Sequence, residues 1–243
     1  MARKNRPDIL FADEAVILVC KPPGLLSIPD RYQPELPNLQ RQLQEQFERL
    51  WTVHRLDRDT SGIMIFARTE EAHRHLSQQF EHRKVRKTYL AFVEGKPATD
   101  TGEINSPLAP HPHKKGRMVV DARGKEALTY YRVKEAFQHA ALLEVDIRTG
   151  RTHQIRVHLA SIGSPLLIDP VYGKREAFYL SEIKRQKYNL NKHGEERPLV
   201  GRLTLHAHSL TVPHPLTGET LTREASLPKD LRALLRQLQK WDQ

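Results

Sequence analysis

Trp51-Thr52-Val53-His54-Arg55-Leu56-Asp57-Arg58-Asp59-Thr60-Ser61-Gly62-Ile63-Met64-Ile65-Phe66 sets two carboxylates, two arginines and a histidine between apolar flanks. The lead-in Trp51 to Val53 reads as a short strand, and the run after Gly62 reads as a buried one. Charge held between two core segments is costly unless it is paired or used. The turn His54 to Gly62 is therefore the first candidate for a site rather than a solvated loop.

Upstream of it, Ile9-Leu10-Phe11, Asp13-Glu14 and Ala15 to Val19 predict a tight hairpin. Lys21-Pro22-Pro23-Gly24-Leu25 leads the chain out, because neither proline donates to a ladder. Asn38 is placed to cap a helix with Leu39, Leu43, Phe47 and Leu50 along one face. Downstream, Thr69 caps a second helix, with Glu70 and Glu71 in its first turn and Ala72, Leu76 and Phe80 inward. Val85 to Val93 predicts a strand closed by Glu94-Gly95.

The middle is rich in turns, with Pro107, Pro110 and Pro112 among His111, His113, Lys114, Lys115 and Arg117. Ala127 to Val133 and Ala141 to Ile147 then read as antiparallel strands. Thr149-Gly150-Arg151-Thr152 breaks them. Thr152 is expected to cap a helix that turns Ile155, Leu159 and Ile162 inward, with Gly163 ending it. Residues 174–200, including Lys184-Arg185-Gln186-Lys187-Tyr188, read as a polar, basic insertion with a partly helical start. A strand near Leu203 to Leu210 and a helix from Pro228 to Leu238 complete the chain. Strands outnumber helices and often follow one another directly, which argues for an α+β fold with a largely antiparallel sheet. The expected organisation is a basic tail over 1–7 and one domain over 8–243.

The 243 residues carry 39 Lys+Arg against 29 Asp+Glu, a formal charge of +10, which favours a polyanionic partner. Cys20 is the only cysteine, so an intramolecular disulfide is impossible and a reducing compartment is expected. It follows Val16 to Val19 and reads as a small buried residue. No apolar stretch is long enough to span a bilayer, and Met1 to Arg6 lacks the apolar core of a signal peptide. The expectation is a cytoplasmic protein with no membrane partner, monomeric by default.

Several chemistries lack their residues. There is no Walker loop or G-x-G-x-x-G to cradle a nucleotide, and no Cys-x-x-Cys. His206 and His208 share one face of a strand and form a metal candidate, His153 and His158 are five apart, a poor helical spacing for one ion, and the expected metal set is none. Ser61 lacks the G-x-S-x-G elbow of a serine hydrolase. What remains is Asp57 among cations. A guanidinium would keep its carboxylate ionised and aimed. Arg156, in His153-Gln154-Ile155-Arg156-Val157-His158, is the candidate, since an unpaired charge on that apolar helix would be costly. From the residues alone, a functional pair and a structural ion pair both stay open.

His54-Arg55-Leu56-Asp57, with Thr60-Ser61-Gly62, resembles the H-R-L-D-x-x-T-S-G signature of the RluA-type RNA pseudouridine synthases. Four further stretches resemble that family in the expected order. Val19-Cys20-Lys21-Pro22-Pro23-Gly24-Leu25 is similar to its V-N-K-P-x-G-L, with Cys20 where asparagine is usual. Arg86-Lys87-Thr88-Tyr89-Leu90-Ala91-Phe92-Val93-Glu94-Gly95 is similar to K-x-Y-x-A-x-V-x-G. Thr149 to Leu159 and Leu205-His206-Ala207 with His214-Pro215 match the last motifs.

The resemblance implies a single pseudouridine-synthase-like domain, a mixed, largely antiparallel central sheet flanked by helices. It also implies isomerisation of uridine in RNA by breaking the glycosidic bond at N1 and remaking it at C5, with no metal, cofactor or energy source. Asp57 would be the catalytic carboxylate and Arg156 its partner. Tyr89 would lie against the uracil and serve proton transfer. Arg55 would fill or stabilise the position that the flipped nucleotide vacates, and Lys87 and Arg58 would contact nearby phosphates. The family's S4 RNA-binding domain is not expected here, so a stem-loop of tRNA or rRNA would be selected by the catalytic domain. A non-catalytic RNA-binding protein is the alternative. A metal-dependent nuclease using Asp57 and Asp59 is a third reading without a convincing ligand set.

Overall fold

The computed structural model describes residues 7–184, 190 and 194–243. The first strands are β1 (Asp8–Ala12) and β2 (Val16–Lys21), followed by α1 (Leu39–Gln44), β3 (Trp51–Thr52), β4 (Ser61–Ala67) and α2 (Glu70–Glu81). Next come β5 (Arg86–Glu94), β6 (Thr101–Asn105), β7 (Leu108–Pro110), β8 (Met118–Val120), β9 (Leu128–Ala136) and β10 (Ala140–Ile147). The chain continues through α3 (Gln154–Ser161), β11 (Leu205–Pro213), β12 (Thr220–Glu224) and α4 (Lys229–Trp241). The α+β expectation holds: helices pack on strands that are mostly antiparallel. Two compact units are distinguishable, Met1–Tyr89 with His206–Ser226 and Leu90–Leu205 with Leu227–Gln243.

In the first unit β4 is central and wholly buried. β2 pairs with it antiparallel from Val16↔Ala67 to Lys21↔Gly62, and β1 covers β2. The turn between β1 and β2 is closed by Asp13, whose Oδ1 accepts the Ala15 and Val16 N–H groups, each at 2.8 Å. The other edge of β4 has two partners. β11 runs parallel to it at Ser61 and Gly62, and β3 runs antiparallel at Phe66 and Ala67. Thr69 caps α2 as expected, its hydroxyl accepting the Ala72 N–H at 3.1 Å. Asn38 likewise caps α1 through Arg41 N–H. That helix is shorter than the apolar spacing predicts. Gln46 and Phe47 both donate to the Leu43 carbonyl, tightening the chain into a turn that leaves Phe47 and Leu50 beyond the helix.

In the second unit β9 pairs antiparallel with both β10 and β6, and β7 and β8 form a small hairpin of their own. The core joins Leu90, Phe92 and Leu142 to Phe178 and to Leu231, Leu234 and Leu238 of α4. Three expectations need correction. Thr152 does not cap α3. The N-cap is His153, held at φ +54 without a side-chain cap bond. Ile162 is exposed rather than inward, because the helix ends at Ser161 and Gly163 takes the left-handed conformation just past it. The 174–200 segment is not simply a polar excursion either. Phe178 and Val200 are buried and bridge backbone to backbone, and a 3₁₀ turn covers Leu180–Glu182. Residues 185–188 of its basic run, and the tail up to residue 6, lie outside the described residues.

Candidate active site

The turn that carries Asp57 is fastened at every side by groups of the first unit. Ser27 Oγ donates to the Leu56 carbonyl at 2.8 Å and accepts the Leu56 N–H at 3.1 Å. One hydroxyl thus satisfies both backbone groups of the residue before Asp57. The fully buried Lys21 donates through Nζ to the carbonyls of Pro22, Leu25 and Arg58 at 3.0, 2.8 and 2.8 Å. A buried ammonium is tolerable because three carbonyl dipoles receive it. Arg58 returns the contact through Nε to the Gly24 carbonyl at 3.2 Å. The Lys-Pro-Pro-Gly-Leu motif is therefore a clamp on the Asp57 turn. Within the turn, the Thr60 N–H donates to the Asp57 carbonyl at 3.2 Å.

The exit is equally specific. Ser61 Oγ and His206 Nδ1 are 2.9 Å apart, and His206 Nε2 lies 3.0 Å from the Ala225 carbonyl. A proton on Nε2 satisfies both contacts, with the serine hydroxyl donating to Nδ1. This ring, raised above as a metal candidate with His208, is committed to holding the turn. Gly62 sits at φ +121, and a Cβ there would lie 2.1 Å from the Ala207 carbonyl oxygen. Thr-Ser-Gly and Leu-His-Ala are thus two halves of one close crossing of strands.

Around the turn stand three of the other expected residues. Arg55 is exposed. Tyr89 is buried on β5, and burial first, then the negative charge of Asp57, pushes its phenol above the ordinary value. Asp57 and the Tyr89 hydroxyl therefore share an electrostatic environment. Lys87, two residues earlier, lies with its ammonium 5.8 Å from the centre of the Phe80 ring, and burial pushes it down to about 8. His54 stacks on the other member of that group, Phe80, at 4.8 Å between centroids and 19° between planes. Its Nε2 accepts the Ile65 N–H at 3.1 Å. Burial, and then the Lys87 charge, pushes it down to about 3.

Arg156 belongs to the second unit and is buried in α3. Its Nε and Nη2 donate to the two oxygens of Asp169 at 2.7 and 2.8 Å. Burial pushes Asp169 up, yet the hydrogen bonds and charge of Arg156 and the N–H groups of Val171 and Tyr172 outweigh it, so its carboxyl ends below the ordinary range. The Tyr172 ring lies 5.1 Å from the guanidinium carbon. Tyr172 Oη also contacts His153 Nδ1 at 2.8 Å and accepts the Met118 N–H at 2.8 Å. Gln154 accepts from the Thr149 hydroxyl and the Arg151 N–H, and donates to Leu128 O and Thr129 Oγ1. His158 bridges Thr129 Oγ1 and the Ser106 carbonyl, and burial lowers its pKa.

Sequence reasoning missed Ser27, Asp169 and Tyr172. Asp169 sits in an apolar run, Leu166-Leu167-Ile168-Asp169, and a lone carboxylate there is the kind of signal that could have found it.

A family model described as RNA pseudouridylate synthase matches residues 15–161, the span that contains the clamped turn, β5 and α3. The chain belongs to the RluA-type RNA pseudouridine synthases. Ribosomal large subunit pseudouridine synthase D of Nitrosomonas europaea is 40% identical over 238 residues, 93% of this chain and 64% of that protein. The protein of the same name from Pseudomonas aeruginosa is 39% identical, over 98% of this chain and 74% of its own length. The chain thus spans about two thirds of the length of these relatives. The solved structure of human RNA pseudouridylate synthase domain containing 4 matches with a TM-score of 0.70 at 28% identity, covering 96% of this chain and 93% of that one.

Proposed function

We propose that this chain isomerises uridines in structured RNA to pseudouridine, with Asp57 as the catalytic carboxylate. The observation that carries the reading is the construction of the Asp57 turn. Ser27, Lys21, Arg58 and His206 spend their hydrogen bonds on its backbone and flanks, as a carboxylate that must meet one atom of a substrate requires. Tyr89, whose phenol feels the Asp57 charge, is buried and protonated at neutral pH, so it is suited to lie against a base and to relay a proton.

The remaining roles follow the family resemblance. Arg156, its Nε and Nη2 already set by Asp169, is the partner that the resemblance gives to Asp57. Arg55, exposed in the same turn, fills or stabilises the position in the stack that the nucleotide vacates. Lys87 and Arg58 meet phosphates. The base must be flipped before a recessed carboxylate reaches it, and unpaired loops offer that at the lowest cost. Ribosomal RNA of the large subunit is the first substrate to try, given the names of the relatives, and tRNA stem-loops the second. No step in this scheme calls for a cofactor, and a monomer in the cytoplasm suffices for it.

Release of tritium from C5-labelled uridine tests the reading. Wild-type protein should release it from one or a few transcripts, and Asp57→Asn should abolish release, by at least ~10³-fold, while binding the same RNA with unchanged affinity. Binding without release by either protein would instead favour a non-catalytic RNA-binding protein.

A further inference from the structure

The edge of β4 that faces away from β2 changes partner along its length. β11 takes it at Ser61 and Gly62, and β3 takes it at Phe66 and Ala67. Ile65 falls in the gap, buried, with a backbone N–H that needs an acceptor. That acceptor is not a strand but an imidazole: His54 Nε2, at 3.1 Å. An acceptor at Nε2 requires the ring to be neutral with its proton on Nδ1. The surroundings impose that state twice over. The ring is stacked on Phe80, and Lys87, whose charge acts on it, lies against the same phenylalanine. Protonation would set N–H against N–H and bring a second positive charge beside the ammonium.

His54 is also the first residue of the turn that ends at Asp57. Beyond Ser27 at Leu56 and Lys21 at Arg58, it is a further fastening, and it carries the tie between the entry of the turn and β4 past the point where the β3 ladder stops. We propose that His54 is a positioning residue. As a permanently neutral hydrogen-bond acceptor it substitutes for a missing strand between β3 and β11, and so fixes where the Asp57 carboxylate stands. It neither touches substrate nor moves a proton. This inference rests on the activity proposed above.

Two variants separate the parts of the role. His54→Phe keeps the stack on Phe80 and loses the acceptor, whereas His54→Gln places an amide oxygen at similar reach. Single-turnover isomerisation, RNA affinity and amide hydrogen exchange would be measured on both, with wild type and Asp57→Asn alongside. The expected result for His54→Phe is a rate lowered roughly 10- to 100-fold with RNA affinity within about threefold of wild type. Exchange at Ile65 and Thr60 should be faster, and an unchanged exchange pattern in β1 and β2 would show that the unit remains folded. His54→Gln should recover most of the rate and the protection. Wild-type rate and Thr60 protection in His54→Phe would overturn the proposal, as would a loss that glutamine does not recover. If wild type itself releases no tritium, the proposed activity fails. The exchange of Thr60, whose N–H binds the Asp57 carbonyl, then decides the positioning role: faster in His54→Phe supports it, unchanged overturns it.

Discussion

The Asp57 turn and helix α3 both bring charge into the interior, and they do it in opposite ways. In the turn the fastenings go to the backbone. Lys21, Ser27 and Arg58 bind carbonyls or amides, and so leave the position of Asp57 to the chain itself. In α3 the fastening goes to the side chain: Arg156 is gripped through Nε and Nη2 by the Asp169 carboxylate, on a helix whose every residue from Gln154 to Leu159 is buried. A short side chain such as aspartate is aimed by fixing its Cα. A long one such as arginine, with many rotamers to lose, is aimed only by holding its end. The two regions should therefore fail differently when cut.

The largest effect is expected where the turn leaves for β4. Gly62→Ala sets a Cβ against the Ala207 backbone at a φ that alanine rarely adopts, and neither strand can yield. A loss of roughly 5 kcal/mol or more in urea unfolding, or no folded protein, is expected. Wild-type stability would mean that β11 and β4 do not cross as closely as described. Lys21→Met comes next. It strips three carbonyls of the one buried cation they share, and a cost of about 4 kcal/mol is expected, since hydrogen bonds to charged groups are the strong ones. If the clamp works through the backbone, isomerisation in the surviving folded fraction should fall as well.

Asp169→Asn cuts the other region. The amide oxygen keeps the Val171 and Tyr172 N–H bonds, so about 2–3 kcal/mol is expected, less than for outright loss of a buried partner. The pH dependence has a definite sign. The Asp169 carboxyl is lowered on folding, so its contribution is complete above the unfolded value of roughly 4 and is lost as pH falls through the lower folded value. The stability gap between wild type and Asp169→Asn should close below about pH 4. A gap constant from pH 7 to pH 3 would show that charge is not what Asp169 contributes.

The contrast also explains what could be read in advance. The α+β class, the cap residues Asn38 and Thr69, and the pairing of β9 with β10 follow from local patterns, and all stand in the structure. Asp57 and Arg156 were singled out because charge amid apolar sequence is visible in one dimension. Their supports were not. Ser27 is an ordinary serine until the chain folds it 29 positions away onto Leu56, and Asp169 meets Arg156 across 13. The failed expectations are also tertiary overrides. Thr152 has cap chemistry, but Gln154 binds Thr149 and Arg151, and His153 takes the left-handed position instead. The apolar spacing from Leu39 to Leu50 is real burial without being one helix, because the chain turns after Gln44 and Leu50 reaches the core from outside it.

Lys87 offers the smallest test and the sharpest one. Where Arg156 has a carboxylate, Lys87 has the face of Phe80, and burial alone pushes its ammonium down to about 8. It is therefore charged below pH 8 and loses its charge as pH rises through that value, well before an ordinary surface lysine does. If it meets a phosphate, the slope of log affinity against log salt should fall by about 0.7 between pH 7 and pH 9. Lys87→Met should show the smaller slope already at pH 7 and no further change on going to pH 9. A pH-independent slope in wild type would remove Lys87 from the phosphate contacts and leave it as a companion of Phe80 and His54. In that case the phosphate contacts among the described residues of the turn would fall to exposed cations such as Arg58.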